Sequence, residues 1–201
     1  MTYSYLTLGM DEVGRGCCAG NVLACAAILP DGFEFAKLRD SKKMSKKDRE
    51  AFFEYGPLNG MLVGIGIASV KEIEELNIRR ATHLAMHRAV KHLVSANEFI
   101  KIEDFKIIID GNDFVTNESW NFQTLIKGDD LVKSISAASC YAKVYRDLMM
   151  SAESDLCDEN EDRYGWKTNA GYGTKAHKEA IIKYGMTPIH RKTFVETLLS
   201  K

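Results

Sequence analysis

Residues 5–30, YLTLGMDEVGRGCCAGNVLACAAILP, contain two short apolar runs separated by a glycine-rich turn. The runs at 5–10 and 22–30 are apolar and bounded by turn residues, a pattern that predicts two β-strands. The turn between them, DEVGRG at 11–16, carries two acids and an arginine. We therefore predict a sheet whose first strand ends in a charged turn.

Two further runs have the pattern of strands, and a helix is predicted between them. Residues 61–68 (MLVGIGIA) predict a third strand, and residues 106–110 (KIIID) predict a buried strand that ends in a carboxylate. Asn77 is a suitable N-cap for a helix over residues 78–96, where apolar residues recur at near-helical spacing.

The second half of the chain is predicted to be mainly helical. Residues 131–150 predict another long helix, whose small residues allow close packing on a sheet. After Gly171 the pattern is helical again, with a break at Pro188. Early strands followed by alternating helices and strands predict an α/β fold. We expect a mixed sheet flanked by helices, with a small helical C-terminal part.

The composition is that of an ordinary globular domain. The 201 residues carry a net charge of -1 and are 45% hydrophobic, enough for one domain with a core that needs no structural metal. Five cysteines without a CxxC pair are typical of reduced thiols in a cytosolic chain. No signal peptide is recognised, and the longest apolar stretch, 22–29, is too short to span a bilayer. We therefore expect a cytoplasmic protein that is not inserted in a membrane.

Charge is concentrated in two segments. Residues 37–49 hold seven basic residues against two acids, and residues 153–162 hold six acids and no base. Such runs usually form solvated surface. The basic run gains a functional meaning only if an anionic ligand binds beside it.

Five acids lie where predicted strands end or where a helix begins: Asp11, Glu12, Asp110, Asp129 and Asp130. Strand ends of an α/β sheet converge at one edge, and carboxylates that converge there repel one another unless a cation neutralises them. Mg²⁺ and Mn²⁺ take such oxygen ligands, and a pair of these ions can activate water for phosphodiester cleavage. Ordinary turn and cap acids explain the same spacing, so the residues alone leave both readings open.

The turn Gly14-Arg15-Gly16 directly follows the first two acids. Glycines allow the backbone to approach a ligand closely, and the arginine offers a rigid fork of donors. A phosphate or a sugar hydroxyl is a natural partner for such a turn. A nucleotide-binding regulator is a weaker alternative, because the chain contains no GxxxxGK[ST] motif.

Motifs spread in order along nearly the whole chain resemble those of type 2 ribonuclease H, the ribonuclease HII family. They are DEVGRG at 11–16, ILP at 28–30, DSKK at 40–43, IDGN at 109–112, KGD at 127–129, SISAASCYAKVYRD at 134–147, GYGTKAH at 171–177 and HR at 190–191. The sister type 3 enzymes typically carry an extra N-terminal domain and lack the arginine of the turn. Arg15 and the ten residues before Asp11 therefore favour type 2.

The resemblance implies a ribonuclease H-like fold, with a catalytic domain over 1–170 and a C-terminal helical segment over 171–201 that lines the substrate groove. It implies hydrolysis of the RNA strand of RNA–DNA hybrids and cutting 5′ of single ribonucleotides in duplex DNA. The products would be 3′-hydroxyl and 5′-phosphate ends, as in ribonucleotide excision repair. It also implies two Mn²⁺ or Mg²⁺ ions and a monomer. The C-terminus, FVETLLSK, contains no aromatic pair typical of a sliding-clamp-binding tail.

The resemblance also assigns roles to individual residues. The metal-binding catalytic carboxylates are matched by Asp11, Glu12, Asp110 and Asp129, whereas Asp130 is an adjacent acid that does not align. The substrate-binding positions are matched by Gly14, Arg15 and Gly16 for the ribose 2′-hydroxyl, Ser41 and Lys42 near phosphates, and Tyr172 stacked on the following deoxyribose.

The chain departs from the family pattern beside the turn. Cys17 and Cys18 replace the usual Pro and Leu, and Asn21 replaces a Pro. We interpret these as packing changes, with Cys17 exposed to oxidation if it lies near a metal. The alternative function on the same fold is a non-catalytic hybrid-binding module, although a binder gains nothing from an uncompensated acidic cluster.

Some residues keep two interpretations. His83 and His87 have i, i+4 spacing but lack the glutamate of HExxH, so a solvated helix face is favoured over a zinc site. His190 and Arg191 fit either a contact to the substrate backbone or a brace for the C-terminal helices. His177 fits either a groove position or a structural role.

Overall fold

Five strands form the central sheet of the chain: β1 (Thr7–Val13), β2 (Val22–Ile28), β3 (Leu62–Ala68), β4 (Lys106–Asp110) and β5 (Phe122–Leu125). A computed structural model describes residues 7–39, 41–157 and 162–200. The strand order is β3-β2-β1-β4-β5. β1, β2 and β3 are antiparallel, whereas β4 is parallel to β1 and β5 is parallel to β4. β1 thus lies in the middle, with a hairpin partner on one side and a parallel partner on the other.

Eight α-helices occur in the described ranges: α1 (Lys46–Leu58), α2 (Val70–Leu76), α3 (Ile78–Ser95), α4 (Gly128–Leu131), α5 (Lys133–Cys157), α6 (Trp166–Asn169), α7 (Lys175–Tyr184) and α8 (Lys192–Leu199). Two single-turn 3₁₀ helices are also present: Ser41–Lys43 lies between β2 and α1, and Ile102–Asp104 lies between α3 and β4. The predicted α/β class, a mixed sheet flanked by helices, is confirmed.

α3 covers one face of the sheet with a stripe of small and apolar residues. Ala81, Ala85, Ala89 and Leu93 are fully buried in the same core as Ala24 and Ala26 of β2. Their spacing of four residues keeps them on one side of the helix, so the helix axis can lie close to the strands. The Asn77 side chain accepts a hydrogen bond from the Arg80 N–H, which confirms the predicted N-cap.

α5 covers the opposite face and crosses β1 at Gly9. A Cβ atom at this position would overlap the backbone of Ser134 and Ile135. The helix continues with Ala137, Ala138 and Ala142, all fully buried against the other side of β2. Gly9 therefore brings the first turn of α5 into contact with the strand that carries Asp11 and Glu12.

The predicted elements differ from the structure mainly at their ends. β1 continues to Val13, so Asp11 and Glu12 lie within the strand and not beyond it. α5 begins at Lys133 and continues to Cys157, longer than the predicted 131–150. Residues 5 and 6 of the first predicted strand lie outside the described residues.

Five of the named elements were absent from the prediction, including the four-residue helices α4 and α6, which are too short to show a periodic pattern. α1 lies partly in the basic run 37–49, where charge hides an apolar face that buries Phe52. α2 is only seven residues long and begins with a capping box at Ser69. β5 is four residues long, and its first two residues are exposed, so it shows little alternation.

None of the helices in the described ranges has the length and apolar character required to span a membrane. Cys17, Cys25 and Cys140 are buried free thiols, as the composition suggested.

Replacing Gly9 by alanine should strongly destabilise the fold. The added methyl group has no room unless α5 moves away from β1, so we expect a loss of about 2 kcal/mol or more in the free energy of unfolding. Urea unfolding measures this change. Gly16→Ala is the matched control, because a Cβ there meets nothing within 4 Å. A loss at Gly9 no larger than that of the control would contradict the close contact.

Candidate active site

Three carboxylates from three different elements meet at one edge of the sheet. Asp11 lies in β1, Asp110 ends β4, and Asp129 lies in α4. One oxygen of each lies within 4.8 Å of the other two. β1 and β4 are adjacent parallel strands in which Met10 pairs with Ile109. The next residue of each strand is an acid, so Asp11 and Asp110 lie side by side.

Local hydrogen bonds hold Asp110 and Asp129 in place. The Gly128 N–H donates to Asp110 Oδ1 at 2.7 Å, which joins the start of α4 to the end of β4. The Ser136 hydroxyl donates to the Asp129 carbonyl at 2.7 Å and ties α4 to α5. The neighbouring Asp130 instead pairs with Lys43 at 2.5 Å. The two adjacent acids therefore have different surroundings.

Glu12 lies beside the three clustered acids. Successive residues of a strand point to opposite sides, so Glu12 is not one of the three whose oxygens lie within 4.8 Å of one another. Its Oε1 accepts a hydrogen bond from Arg15 Nη1 at 3.1 Å. Both residues line the same cleft as Asp11 and Asp110.

Burial and mutual repulsion favour the protonated forms of Asp11 and Glu12. Burial raises the pKa of Asp11 well above its ordinary value, and the charges of Glu12 and Asp110 raise it further, against a hydrogen bond from Ser139. Burial also raises the pKa of Glu12, although Arg15 opposes the shift. A cluster that resists ionisation in this way needs a cation to become fully charged.

The donor set fits a hard divalent cation. Asp11 and Asp129 are 7% and 6% exposed, and Asp110 is partly buried, so the three carboxylates present oxygen ligands in a sheltered position. Oxygen donors at this density are the type that Mg²⁺ and Mn²⁺ prefer. When bound, such an ion supplies Lewis-acid stabilisation of phosphoryl oxygens and activation of water.

A cleft of about 250 Å³ opens beside the carboxylates. The sequence-predicted residues that line it are Asp11, Glu12, Gly14, Arg15, Gly16, Ser41, Lys42, Asp110 and Tyr172. Asp129 belongs to the carboxylate cluster, where Lys42 Nζ lies 3.8 Å from its Oδ2. The structure thus gathers the predicted residues in one place. Asp40 of the DSKK motif lies outside the described residues.

A family model described as Ribonuclease HII matches residues 8–197. The chain belongs to the ribonuclease HII family. It is 42% identical over 196 residues to ribonuclease HII of Alkaliphilus metalliredigens, covering 95% of this chain and 90% of that protein. It is 43% identical over 186 residues to ribonuclease HII of Bacteroides thetaiotaomicron, covering 92% and 88%. Ribonuclease H2 of Pyrococcus horikoshii has the same fold, with a TM-score of 0.69 and 21% identity over 96% of this chain and 97% of that one.

Membership of the ribonuclease HII family confirms the predicted resemblance and the enzyme class. The chain is a divalent-metal-dependent nuclease with ribonuclease H activity on RNA–DNA hybrids. A nucleotide-binding regulator and a non-catalytic binder are therefore not supported.

The glycine-rich turn of this ribonuclease HII is built against α5. Gly14 has a φ of +92°, and a Cβ there would overlap Arg146. The turn therefore needs glycine at 14 both for its backbone conformation and for its contact with a buried side chain. Gly16 has open space around its Cα, on the side of the cleft.

Tyr172 reaches the cleft because its segment pairs with the chain that follows the turn. Tyr172 forms an isolated antiparallel bridge with Cys17, and the Cys18 N–H donates to the Gly171 carbonyl at 2.8 Å. The Tyr172 hydroxyl is hydrogen-bonded to the Cys17 thiol, and its ring is partly exposed. Lys143 Nζ lies 5.8 Å from the centre of the ring.

Several residues at or near the cleft were not among the predicted site residues. Arg49, Ser139 and Lys143 also line it. The Ser139 hydroxyl lies 2.9 Å from that of Ser41, which joins α5 to the DSKK turn. The basic run supplied a general signal for Arg49, whereas Lys143 lies inside a helix that reads as ordinary packing.

Burial narrows the two open interpretations near the C-terminus. His190 and Arg191 are 4% and 0% exposed, so neither faces solvent. His190 packs against His177 of α7, whereas the Arg191 side chain donates to the Gly20 and Arg15 carbonyls. His177 is also fully buried, and its Nε2 lies 3.2 Å from that of His190. Burial lowers the pKa of His190 to about 4, which keeps it neutral at physiological pH.

The adjacent acids Asp129 and Asp130 provide a matched test of the metal site. Asp129→Asn should weaken Mn²⁺ binding by at least about tenfold, because it removes one of three clustered oxygen ligands. Asp130→Asn should leave binding within about twofold, because Asp130 pairs with Lys43 outside the cluster. Calorimetric titration with Mn²⁺ alone measures both. Equal affinity in the two variants would remove Asp129 from the ligand set.

Proposed function

We propose that this ribonuclease HII cuts duplex DNA on the 5′ side of single embedded ribonucleotides, in addition to its activity on RNA–DNA hybrids. The observation that carries the proposal is the juxtaposition, in one cleft, of a carboxylate cluster, a glycine-rich turn and an aromatic ring. The cluster supports cleavage, whereas the turn and the ring support recognition of one ribonucleotide followed by DNA.

We assign the ligand role to Asp11, Glu12, Asp110 and Asp129, acting with two ions, Mn²⁺ or Mg²⁺. Two ions would stabilise the attacking and leaving oxygens of an in-line displacement and leave 3′-hydroxyl and 5′-phosphate ends. Within the chain, the sheet register holds Asp11 beside Asp110, and Arg15 holds Glu12 toward the cleft. These contacts orient the carboxylates before substrate arrives, which lowers the cost of binding.

We assign recognition of the ribose to Gly14, Arg15 and Gly16. A 2′-hydroxyl is the group that distinguishes RNA from DNA, and only a backbone without side chains can approach it closely. Gly16 has open space around it, which is consistent with close approach of a sugar. Ser41 and Lys42 lie on the same cleft and would contact neighbouring phosphates.

We assign recognition of the following deoxyribose to Tyr172. Its partly exposed ring lies in the same cleft as the turn, so the two can contact consecutive sugars. A flat ring packs well against a sugar that lacks the 2′-hydroxyl. In this proposal the segment 171–201 forms one wall of the substrate groove, and residues 1–170 form the catalytic domain. We further propose that the enzyme is a cytoplasmic monomer of ribonucleotide excision repair.

The direct test is a labelled DNA duplex with one ribonucleotide. With Mn²⁺ or Mg²⁺ the protein should produce one product, cut 5′ of the ribonucleotide and bearing a 3′-hydroxyl end. An all-DNA duplex of the same sequence is the control and should remain intact. If the protein cleaves a long RNA–DNA hybrid but leaves the single-ribonucleotide duplex whole, the proposed cutting at single ribonucleotides is refuted and the hybrid activity stands.

The proposed role of Tyr172 predicts a split between substrates. Tyr172→Ala should lower kcat/KM on the single-ribonucleotide duplex by about tenfold or more, since a stacking contact is lost, and should affect long hybrids less. Tyr172→Phe is the matched control, because it keeps the ring and removes only the hydrogen bond to Cys17. Equal losses on both substrates would show that Tyr172 does not report the junction.

A further inference from the structure

Two buried arginines surround the chain that follows the turn. Arg146 in α5 and Arg191 before α8 are 2% and 0% exposed. Neither forms an ion pair with an acid in the part of the chain that the structure describes. Burying an unpaired guanidinium is costly, and here burial lowers the pKa of Arg191 to about 10. Such a placement calls for a reason beyond packing.

Both side chains donate to backbone carbonyls, but at different points. Arg146 donates to the carbonyls of Ala19 at 3.0 Å and Ala170 at 2.6 Å, and so joins the two paired segments. Arg191 donates from Nε to the Gly20 carbonyl at 2.8 Å and from Nη1 to the Arg15 carbonyl at 3.1 Å. Arg146 Nε also donates to the Asn21 carbonyl at 3.3 Å. Of these five bonds, only the one to the Arg15 carbonyl reaches the glycine-rich turn itself.

The bond to the Arg15 carbonyl orients a peptide group. The chain contains no cis peptide among the described residues, so the Arg15 C=O and the Gly16 N–H point in opposite directions. The Gly16 N–H therefore points away from Arg191. Gly16 lines the cleft, and its N–H has no backbone acceptor within the described residues. A cation on the carbonyl side also polarises the peptide and strengthens its N–H as a donor.

We propose that Arg191 is a positioning residue that aims the Gly16 N–H at the ribose 2′-oxygen of the substrate. The inference rests on the proposed function, in which the turn recognises the ribonucleotide. The Gly16 N–H donates to the 2′-oxygen, an acceptor that deoxyribose lacks. Nη2 of Arg191 is buried without a hydrogen-bond partner. The bonds to the Gly20 and Arg15 carbonyls are therefore the side-chain hydrogen bonds that fix the position of the guanidinium.

Arg191→Lys tests the inference because lysine keeps the charge but lacks the planar guanidinium fork that donates to the Gly20 and Arg15 carbonyls together. Fluorescence anisotropy without metal would compare the Kd of a duplex with one ribonucleotide and that of an all-DNA duplex. We expect the preference for the ribonucleotide, measured as the ratio of the Kd for all-DNA duplex to the Kd for the ribonucleotide duplex, to fall about tenfold in the variant, since one oriented hydrogen bond is lost. The Kd for all-DNA duplex should stay within about twofold of the wild type.

Arg146→Lys is the matched control, because it removes a similar buried fork whose hydrogen bonds go to the Ala19, Asn21 and Ala170 carbonyls and not to the Arg15 carbonyl. Arg146 packs against Gly14 of the turn, and lysine keeps the Cδ methylene at that contact. It should lower the melting temperature about as much as Arg191→Lys while keeping the Kd ratio of the wild type. An equal fall of the ratio in both variants would assign the effect to general destabilisation and overturn the inference. An unchanged ratio in Arg191→Lys would overturn it as well.

A measurement on the wild type keeps the inference testable if the variants do not fold. With ¹⁵N-glycine labelling, the Gly16 amide resonance should shift on addition of the ribonucleotide duplex and not on addition of all-DNA duplex. An unshifted Gly16 amide would refute the positioning role. Wild-type cleavage of the single-ribonucleotide duplex tests the proposed function separately, so failure of one is distinguished from failure of the other.

Discussion

The parallel register of β1 and β4 is the constraint on which the site depends. Pairing of Met10 with Ile109 forces Asp11 and Asp110 to leave the sheet side by side, although their charges repel. The sheet can impose this arrangement because α5 lies directly against β1 at Gly9. The same helix follows α4 without a long loop, so Asp129 reaches the pair from the third side. The rigid sheet and helices thus hold the three carboxylates close together despite their mutual repulsion, and a bound divalent cation would offset that repulsion.

Much of this frame could be predicted from local sequence. The apolar runs of β2 and β4 and the cap at Asn77 follow from side-chain pattern alone. Asp110 was predicted at a strand end because it terminates an uninterrupted buried run. Asp129 was different, since it lies in a four-residue helix after an exposed strand. Nothing in its spacing separates it from Asp130, and only the family resemblance distinguished the two.

The rest could not be predicted because it depends on contacts between distant segments. Arg146 was not singled out and Arg191 kept two interpretations, because the burial of both appears only when residues 15–21 pass between them. His190 was equally ambiguous until its ring was found against His177. α1 was missed for another reason, since its charged residues outnumber its buried ones. Hydrophobic periodicity is a weak signal in such a helix.

The pairing of residues 17–20 with residues 171–191 also has a consequence for the order of events during synthesis. The carboxylates are complete once residue 129 has been made, whereas the bond from Arg191 to the Arg15 carbonyl needs nearly the entire chain. On a ribosome the three carboxylates would therefore be synthesised well before the residue that braces the turn. Residues near the C-terminus are made last and pack against the turn near the N-terminus. The mature arrangement of the turn is therefore a late step of folding.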